Sequence, residues 1–163
     1  MANFDFDTAE GILRFAIGRE VEANVFYNLL TQYVDDPQVR ALCSELASEE
    51  LEHKGLLELE LMKLGSVVKP PSIADIKNTA LPRPLDAMLE MVKVSQMDLE
   101  KIVLLAMEKE KKAFRLYMEL LAVVSDADCR EVIMRLAEEE ARHKISFELE
   151  YDRLKSSRKN SGQ

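Results

Sequence analysis

The sequence predicts an all-α fold, a four-helix bundle made of two repeated antiparallel helix hairpins joined by a long crossover. The composition favours helices, since 47% of the 163 residues are hydrophobic and 32% charged, with only five Gly and five Pro. An internal repeat divides the chain into two similar halves. Each half contains two long segments with apolar residues at helical spacing, and a short break separates the segments.

The internal repeat appears when residues 10–64 are aligned with residues 100–154, an offset of 90 without gaps. Twenty of the 55 paired positions are identical, and the only two histidines of the chain, His53 and His143, fall at the same repeat position. We therefore expect one domain over residues 1–155 and a disordered polar tail over residues 156–163. The repeats 10–64 and 100–154 would be connected by a crossover over residues 65–94.

The first hairpin contains a helix from about residue 8 to residue 33, with Asp7 and Glu10 forming a capping box. The break before Pro37 follows from the steric effect of proline on the preceding residue. A second helix runs from about residue 38 to residue 64 and stops at Gly65. Both helices carry apolar stripes, formed by Ile12, Phe15, Ala16, Ala23, Phe26 and Leu30 in the first and Leu42, Leu46, Leu57 and Leu64 in the second.

The second hairpin begins near Ser95, with Asp98 as a cap partner, breaks at residues 125–128 and resumes from about residue 129 to residue 155. The crossover contains four prolines and is too long for a tight turn. We expect it to run along the bundle, so that the third helix starts at the same end as the first. Residues 86–94 are expected to form a short extra helical piece.

The net charge of −8 argues against nucleic acid and anionic membranes as partners, since both require a basic surface. No apolar stretch approaches the roughly 20 residues that span a bilayer, and the N-terminus carries no signal-peptide pattern. A cytoplasmic location is therefore expected.

Cys43 and Cys129 form no Cys-x-x-Cys pair, which excludes a zinc ribbon or rubredoxin-type iron site within this chain, and a disulfide between them remains open.

Carboxylates occur at inward-facing positions of the predicted helices. Glu20, Ala23 and Tyr27 follow Ala16 by four, seven and eleven residues, so all four share one face of the first helix. On the second helix, Glu and His three residues apart point at the same place, and the second repeat reproduces the whole pattern. The candidate metal ligands are Glu20, Glu50, His53, Glu110, Glu140 and His143.

Four carboxylates inside one bundle are unfavourable without cations. Two divalent metals balance four glutamates, and two neutral imidazoles complete the set, which favours two iron ions, with manganese or zinc as alternatives. Small alanines one turn from the ligands, at positions 23, 47, 113 and 137, would leave room for metal and substrate. A solvated position is expected for the other glutamates of these helices: Glu49, Glu52, Glu58, Glu139 and Glu148.

The two Glu-x-x-Ala-x-x-x-Tyr motifs, which begin at Glu20 and Glu110, and the two Glu-x-x-His motifs together resemble the rubrerythrin branch of the ferritin-like superfamily. The resemblance covers about residues 8–155 and implies a ferritin-like fold. It also implies that Glu50 and Glu140 bridge two metals, that Glu20 and Glu110 each bind mainly one, and that Tyr27 and Tyr117 donate hydrogen bonds around the site.

The chain departs from that family pattern in three respects. The sequence has no rubredoxin-type Cys-x-x-Cys segment, which in well-known rubrerythrins delivers electrons. Ala113 stands where those proteins tend to place an additional Glu, and His143 stands where many have Glu. The symmetric set with two histidines is closer to the site of bacterioferritins.

Several functions are compatible with this site. The leading hypothesis is a di-iron oxidoreductase that reduces hydrogen peroxide or dioxygen, with a separate electron-donor protein and a homo-oligomeric state, a dimer being favoured on general frequency. The main alternative is ferroxidase activity with iron storage or sequestration. A metal-free helical interaction module and an oxygenase or desaturase acting on an organic substrate are further alternatives.

Overall fold

The fold is known from a computed structural model that describes residues 6–66 and 98–161, and within these ranges it contains four α-helices and no strand. The helices are α1 (Ala9–Tyr33), α2 (Pro37–Lys63), α3 (Leu99–Val123) and α4 (Ala127–Ser161). α1 packs along α2, α3 packs along α4, and the two hairpins also meet through α2 and α4. The predicted all-α four-helix architecture is confirmed, whereas most of the crossover and the short helix expected at residues 86–94 lie outside the described residues.

Side-chain caps define the helix starts. Thr8, rather than Asp7 as predicted, caps α1, and its hydroxyl accepts a hydrogen bond from the Gly11 amide at 3.1 Å. Asp36 caps α2 by accepting two backbone N–H bonds at 3.0 Å, with Pro37 in the first turn, where no backbone N–H is needed. Asp98 caps α3. At the other end of α2, Gly65 has a φ of 77°, the left-handed conformation that glycine adopts without strain.

Two clusters of buried apolar side chains fill the two ends of the bundle. One cluster joins the end of α1 and the start of α2 to the start of α3 and the later part of α4, around Leu30, Val39, Val103 and Phe147. The other cluster joins the start of α1 and the end of α2 to the end of α3 and the start of α4. The start of α3 therefore lies beside the end of α1, so the expectation that the third helix starts at the same end as the first is wrong.

Most of the predicted apolar stripe is buried, but Leu64 is 40% exposed. Leu64 is the C-cap residue of α2, after the last helical residue, Lys63, and this explains why it leaves the apolar face. Phe15, Ala23 and Leu42 are only partly buried. The core is therefore formed by the fully buried members of each stripe, which pack in clusters that join all four helices.

The C-terminal segment differs from the prediction of a disordered tail. α4 continues through Ser161, six residues beyond the predicted helix end, and residues 162–163 lie outside the described part of the chain. The Arg158 guanidinium contacts the Glu100 carboxylate on α3 at 3.0 Å. Arg158 and Lys159 lie in the last turns, where positive charge interacts favourably with the helix dipole. These interactions explain why a polar segment remains helical.

Cys43 and Cys129 are both buried free thiols, and they belong to the two different core clusters. Burial raises the pKa of Cys43 to about 12 and that of Cys129 to about 11. Both thiols are therefore protonated and unreactive at neutral pH.

Among the described helices, none is long and apolar enough to cross a membrane.

The repeat provides a test of how the hairpins are stabilised. Asp36 caps α2 and also accepts a hydrogen bond from Arg153 of α4 at 2.8 Å. Among the described residues, the carboxylate of its repeat equivalent, Asp126, accepts only the Cys129 amide at the start of α4. Asp126→Ala should cost about 1 kcal/mol of unfolding free energy through loss of the cap. Asp36→Ala should cost up to about 1 kcal/mol more, because the ion pair is also lost.

Urea unfolding of the two variants measures this difference, with Asp35→Ala as the control. Asp35 is fully exposed and meets Arg40 only at 3.5 Å, so its removal should change stability by less than about 0.5 kcal/mol. Equal losses for Asp36→Ala and Asp126→Ala would show that the contact between hairpins contributes nothing.

Candidate metal centre

The six candidate ligands lie at the middle of the bundle, between the two apolar clusters. Each helix contributes at least one of them, because the helix starts and hairpin turns bring equivalent turns of the four helices to the same level. All six side chains are buried, with at most 5% of their surface exposed: Glu20, Glu50, His53, Glu110, Glu140 and His143. The structure thus brings together every residue that the repeat pattern selected.

The first half of the centre is formed around His53. Its Nδ1 atom lies 3.2 Å from Glu20 Oε2 on α1 and 3.1 Å from Glu50 Oε2 on the same helix. The Glu–His spacing of three residues places both side chains on one face of α2, one turn apart. Glu20 approaches the same imidazole from α1, the other helix of the hairpin.

The second half repeats this arrangement around His143. Its Nδ1 atom lies 3.2 Å from Glu110 Oε2 on α3 and 3.8 Å from Glu140 Oε2 on α4. The same Nδ1 atom is 3.9 Å from Glu50 Oε1, on the other hairpin. The two halves are therefore in contact through their glutamates.

Two overlapping groups have the geometry of metal sites. One contains Glu20, Glu50, His53 and Glu140, the other contains Glu50, Glu110, Glu140 and His143, and in each group the potential ligand atoms lie within 4.8 Å of one another. Glu50 and Glu140 belong to both groups. Their Oε1 and Oε2 atoms, respectively, are buried without a hydrogen-bond partner among the described residues. Carboxylate oxygens oriented in this way fit cations placed between them.

The electrostatics of the cluster show how strongly it requires positive charge. Burial, together with the neighbouring carboxylates, raises the pKa of Glu20 well above its usual range. Burial also raises the pKa of Glu140 well above its usual range. Burial acts to raise the pKa of Glu50 too, but the hydrogen bond with His53 and other contacts outweigh it, so that this pKa is lowered.

Both imidazoles favour the protonated form in this environment. Burial acts to lower the pKa of His143, yet hydrogen bonds with Glu110 and Glu140 outweigh burial and raise the pKa to about 11. The pKa of His53 is raised for the same reason, with Glu50 as its main partner. These pKa shifts favour the protonated forms of both imidazoles and of the Glu20 and Glu140 carboxyls. A metal ion entering the cluster would displace these protons, since His ligands bind metal in the neutral form.

Sequence reasoning missed two residues of the centre. Glu49 and Glu139 were expected on a solvated face, but each contacts the outer nitrogen of the histidine on the opposite hairpin. His53 Nε2 lies 2.5 Å from Glu139 Oε2, and His143 Nε2 lies 2.7 Å from Glu49 Oε2. The two imidazole rings are stacked, with centroids 5.7 Å apart. A carboxylate on the outer nitrogen orients an imidazole whose other nitrogen binds metal.

The signal for these two residues was present in the alignment, since both glutamates precede a ligand glutamate and both are identical between the repeats. Their surroundings differ, however. Arg135 Nε donates a hydrogen bond to Glu139 Oε1 at 3.0 Å, whereas the repeat equivalent of Arg135 is Glu45. Glu139 is 16% exposed and Glu49 40% exposed as side chains. The imidazole of His53 is therefore held more firmly than that of His143.

The two tyrosines also differ between the halves. Both are fully buried beside the carboxylates. The Tyr27 hydroxyl donates a hydrogen bond to Glu110 Oε1 on the other hairpin. The Tyr117 hydroxyl has no hydrogen-bond partner among the described residues. One phenol therefore positions a carboxylate, and the other is free to donate.

The four alanines beside the ligands occupy two kinds of position. Ala47 and Ala137 are buried in the core, where their small size allows close packing. Ala23 and Ala113 line a cleft between α1 and α3 that extends to the carboxylates. Space next to the ligands is thus present on the α1 and α3 side, as the sequence predicted.

The fold is a bundle of two helix hairpins, and both hairpins contribute buried glutamates and a histidine to one centre. This architecture is that of a ferritin-like protein, with a carboxylate-rich centre that could hold metal ions. The sequence model of the rubrerythrin family matches residues 11–151. This match covers most of the chain, so the protein belongs to the rubrerythrin family. A search of curated proteins found no significant match.

Two solved structures have the same fold. A dodecameric thioferritin from Bacteroides fragilis, described as a bacterioferritin-related protein, superimposes with a TM-score of 0.66 and 18% identity over 97% of this chain and 92% of that one. A hypothetical protein from Pyrococcus furiosus superimposes with a TM-score of 0.61 and 23% identity over 89% of each chain. At these identities the likeness supports the ferritin-like fold alone.

Proposed function

We propose that this protein is a di-iron carboxylate oxidoreductase that reduces hydrogen peroxide or dioxygen. The observation that supports this function best is the pair of four-residue ligand groups that share Glu50 and Glu140. A centre of this kind holds two cations close together, which suits two-electron chemistry better than a single isolated metal site.

The contacts support a role for each ligand. Glu50 and Glu140 belong to both groups and have unpartnered buried oxygens, so they would be shared by two metals. Glu20 with His53 would complete one set of ligands, and Glu110 with His143 the other. Two divalent ions would balance the four carboxylates, and two neutral imidazoles add no charge. Hard oxygen ligands with a few imidazoles suit iron or manganese, and zinc would bind without redox activity.

The surrounding residues position the ligands and can donate hydrogen bonds to the substrate. Two iron ions, when bound, would supply one electron each, the two electrons that reduce hydrogen peroxide to water or dioxygen to peroxide. Tyr27 holds the Glu110 carboxylate, and Tyr117 has a free hydroxyl that can donate a hydrogen bond to an oxygen of the substrate. Glu139 and Glu49 orient the two histidines from outside.

The partners expected from this chemistry are peroxide or dioxygen and a protein that returns electrons to the centre. The sequence contains no rubredoxin-type cysteine pair to serve as an internal donor. A homo-oligomer is expected, with a dimer favoured. The net charge of −8 argues against nucleic acid or an anionic membrane as a partner, and a cytoplasmic location is proposed.

The metal content of the purified protein is the first test. We expect about two iron or manganese ions per chain and a loss of both in the Glu50→Ala, Glu140→Ala double variant, because each substitution removes a ligand from both positions. Elemental analysis with a protein assay measures this. The matched control is Glu58→Ala, Glu148→Ala, which removes two glutamates at equivalent repeat positions that pair with Lys54 and Lys144. Full metal content in the ligand variant would refute the assignment.

The outer carboxylates provide a second test. Glu139→Ala should lower metal affinity about 10–100-fold, because His53 loses the group that fixes its orientation. Glu49→Ala should have a smaller effect, since Glu49 is more exposed and water can replace it at His143. Competition with a coloured chelator measures both affinities. Glu138→Ala, which removes an exposed neighbour, is the control, and an equal effect of Glu138→Ala and Glu139→Ala would contradict the positioning role.

Oxidation kinetics test the reaction itself. Ferrous-loaded protein should be oxidised by hydrogen peroxide or by dioxygen at least about tenfold faster than ferrous iron in the same buffer, since the centre places both metals around one substrate molecule. Stopped-flow absorbance measures the two rates and shows which oxidant is preferred. The Glu50→Ala, Glu140→Ala protein with the same iron serves as the control. If the wild-type rates do not exceed those of free iron, the proposed reaction is wrong.

A second candidate function is ferroxidase activity with iron storage. It is favoured by the structural likeness to a protein described as a dodecameric thioferritin. The metal analysis separates the two functions, because storage predicts many more than two irons per chain after loading with excess ferrous salt in air. A dimer that saturates at two irons per chain supports the oxidoreductase.

A further inference from the structure

A wide cleft separates α1 from α3, on the side of the bundle opposite the contact between α2 and α4. Its volume is about 750 Å³, and its inner end reaches Glu20, Glu110, Glu140 and the side chain of Tyr117. A water molecule takes up about 30 Å³ in the liquid, and peroxide is only slightly larger. The cleft is therefore of the size that binds organic molecules rather than a path for peroxide alone.

Apolar side chains form part of both walls of the cleft, between charged residues at its rim and carboxylates at its inner end. α1 and α3 contribute aromatic, leucine and alanine side chains, namely Phe15, Ala23, Phe26, Leu105, Ala113 and Leu116. Ala23 and Ala113 occupy equivalent repeat positions, so each wall carries a small side chain at the level of the metal centre. This surface favours the apolar part of a ligand.

The rim carries positive charge in an otherwise acidic protein. Arg19, Lys109, Lys112 and Arg115 line it. Arg19 pairs with Glu22, and Lys109 lies 4.8 Å above the ring of Phe26.

The remaining charges of the rim do not cancel this excess. Lys112 and Arg115 form no ion pair with the described residues, whereas Glu108 is neutralised by Lys111. Glu119 is the one other acid among the outer lining residues described. Among the outer lining residues, the charge left without a partner is therefore mainly positive, which favours an anionic group at the rim, away from the carboxylates at the inner end.

We infer that the cleft between α1 and α3 binds an organic anion with an apolar body, such as an alkyl carboxylate. The anionic group lies at the rim near Lys112 and Arg115, and the apolar body extends between Ala23 and Ala113 toward Tyr117. Binding of this ligand depends on the cleft alone. Its placement beside a metal centre, as a substrate or as a molecule that controls access, rests on the proposed function.

The probe for this site is dodecanoate, compared with dodecyltrimethylammonium at concentrations below micelle formation. Isothermal titration of the full chain as purified should give one saturable site per chain for dodecanoate and at least tenfold weaker binding of the cationic probe. Ala113→Trp, which fills the cleft, should weaken dodecanoate binding at least tenfold. Ala122→Trp, an exposed alanine of α3 outside the cleft, should not change it.

A charge variant makes the test independent of packing. Lys112→Glu, Arg115→Glu should weaken dodecanoate binding at least tenfold, whereas Lys101→Glu, Lys159→Glu, which makes the same change of net charge elsewhere on exposed positions, should leave it within about twofold. Absence of saturable binding, equal binding of both probes, or unchanged binding in Ala113→Trp would overturn the inference.

Two further measurements separate this inference from its alternatives. Metal content and dodecanoate binding of the wild-type protein can fail separately: protein that holds no metal but binds dodecanoate refutes the metal centre and not the cleft, whereas protein that holds metal but does not bind dodecanoate overturns the cleft inference alone. Sedimentation of wild-type protein and Ala113→Trp should give the same mass. A dimer that dissociates in Ala113→Trp would show that a second copy fills the cleft, and the inference would be wrong.

Discussion

Four glutamates buried at the same level of one helical bundle are the constraint on which the rest of the structure depends. Each buried carboxylate loses its hydration, and each repels the other three, so the cluster would destabilise the fold unless protons or cations neutralise it. The two apolar clusters above and below the centre supply the free energy that holds the helices together around this unfavourable core. The raised pKa values of Glu20, Glu140 and the two histidines favour bound protons, which reduce this repulsion, and bound metal ions would displace those protons.

The hairpin architecture determines where the charges meet. Within each hairpin, pairing of the two helices brings one glutamate opposite a Glu–His pair, and contact between α2 and α4 brings the two halves together. Because the third helix starts beside the end of the first, the hairpins are related by an approximate twofold rotation. That rotation makes each histidine contact a carboxylate of the other hairpin on its outer nitrogen.

The sequence was sufficient for the helices and for the six central residues, because helical periodicity and an exact repeat register both act through spacing along the chain. Glu49 and Glu139 were missed because their role depends on how the hairpins cross, and no spacing within one helix reports that. The direction of the third helix was wrong for the same reason, since the crossover alone does not determine which end it reaches. The helix beyond residue 155 depends partly on the long-range pair of Arg158 with Glu100, which composition does not reveal.

The fusion of both hairpins into one chain has an evolutionary consequence. In a symmetric dimer of identical hairpins, every substitution would appear twice, and both halves of the centre would remain the same. Here Arg135 supports one histidine through Glu139 while Glu45 stands at the equivalent repeat position, and Tyr27 is hydrogen-bonded while Tyr117 has no partner among the described residues. Duplication within a single chain therefore lets selection change the surroundings of each ligand separately.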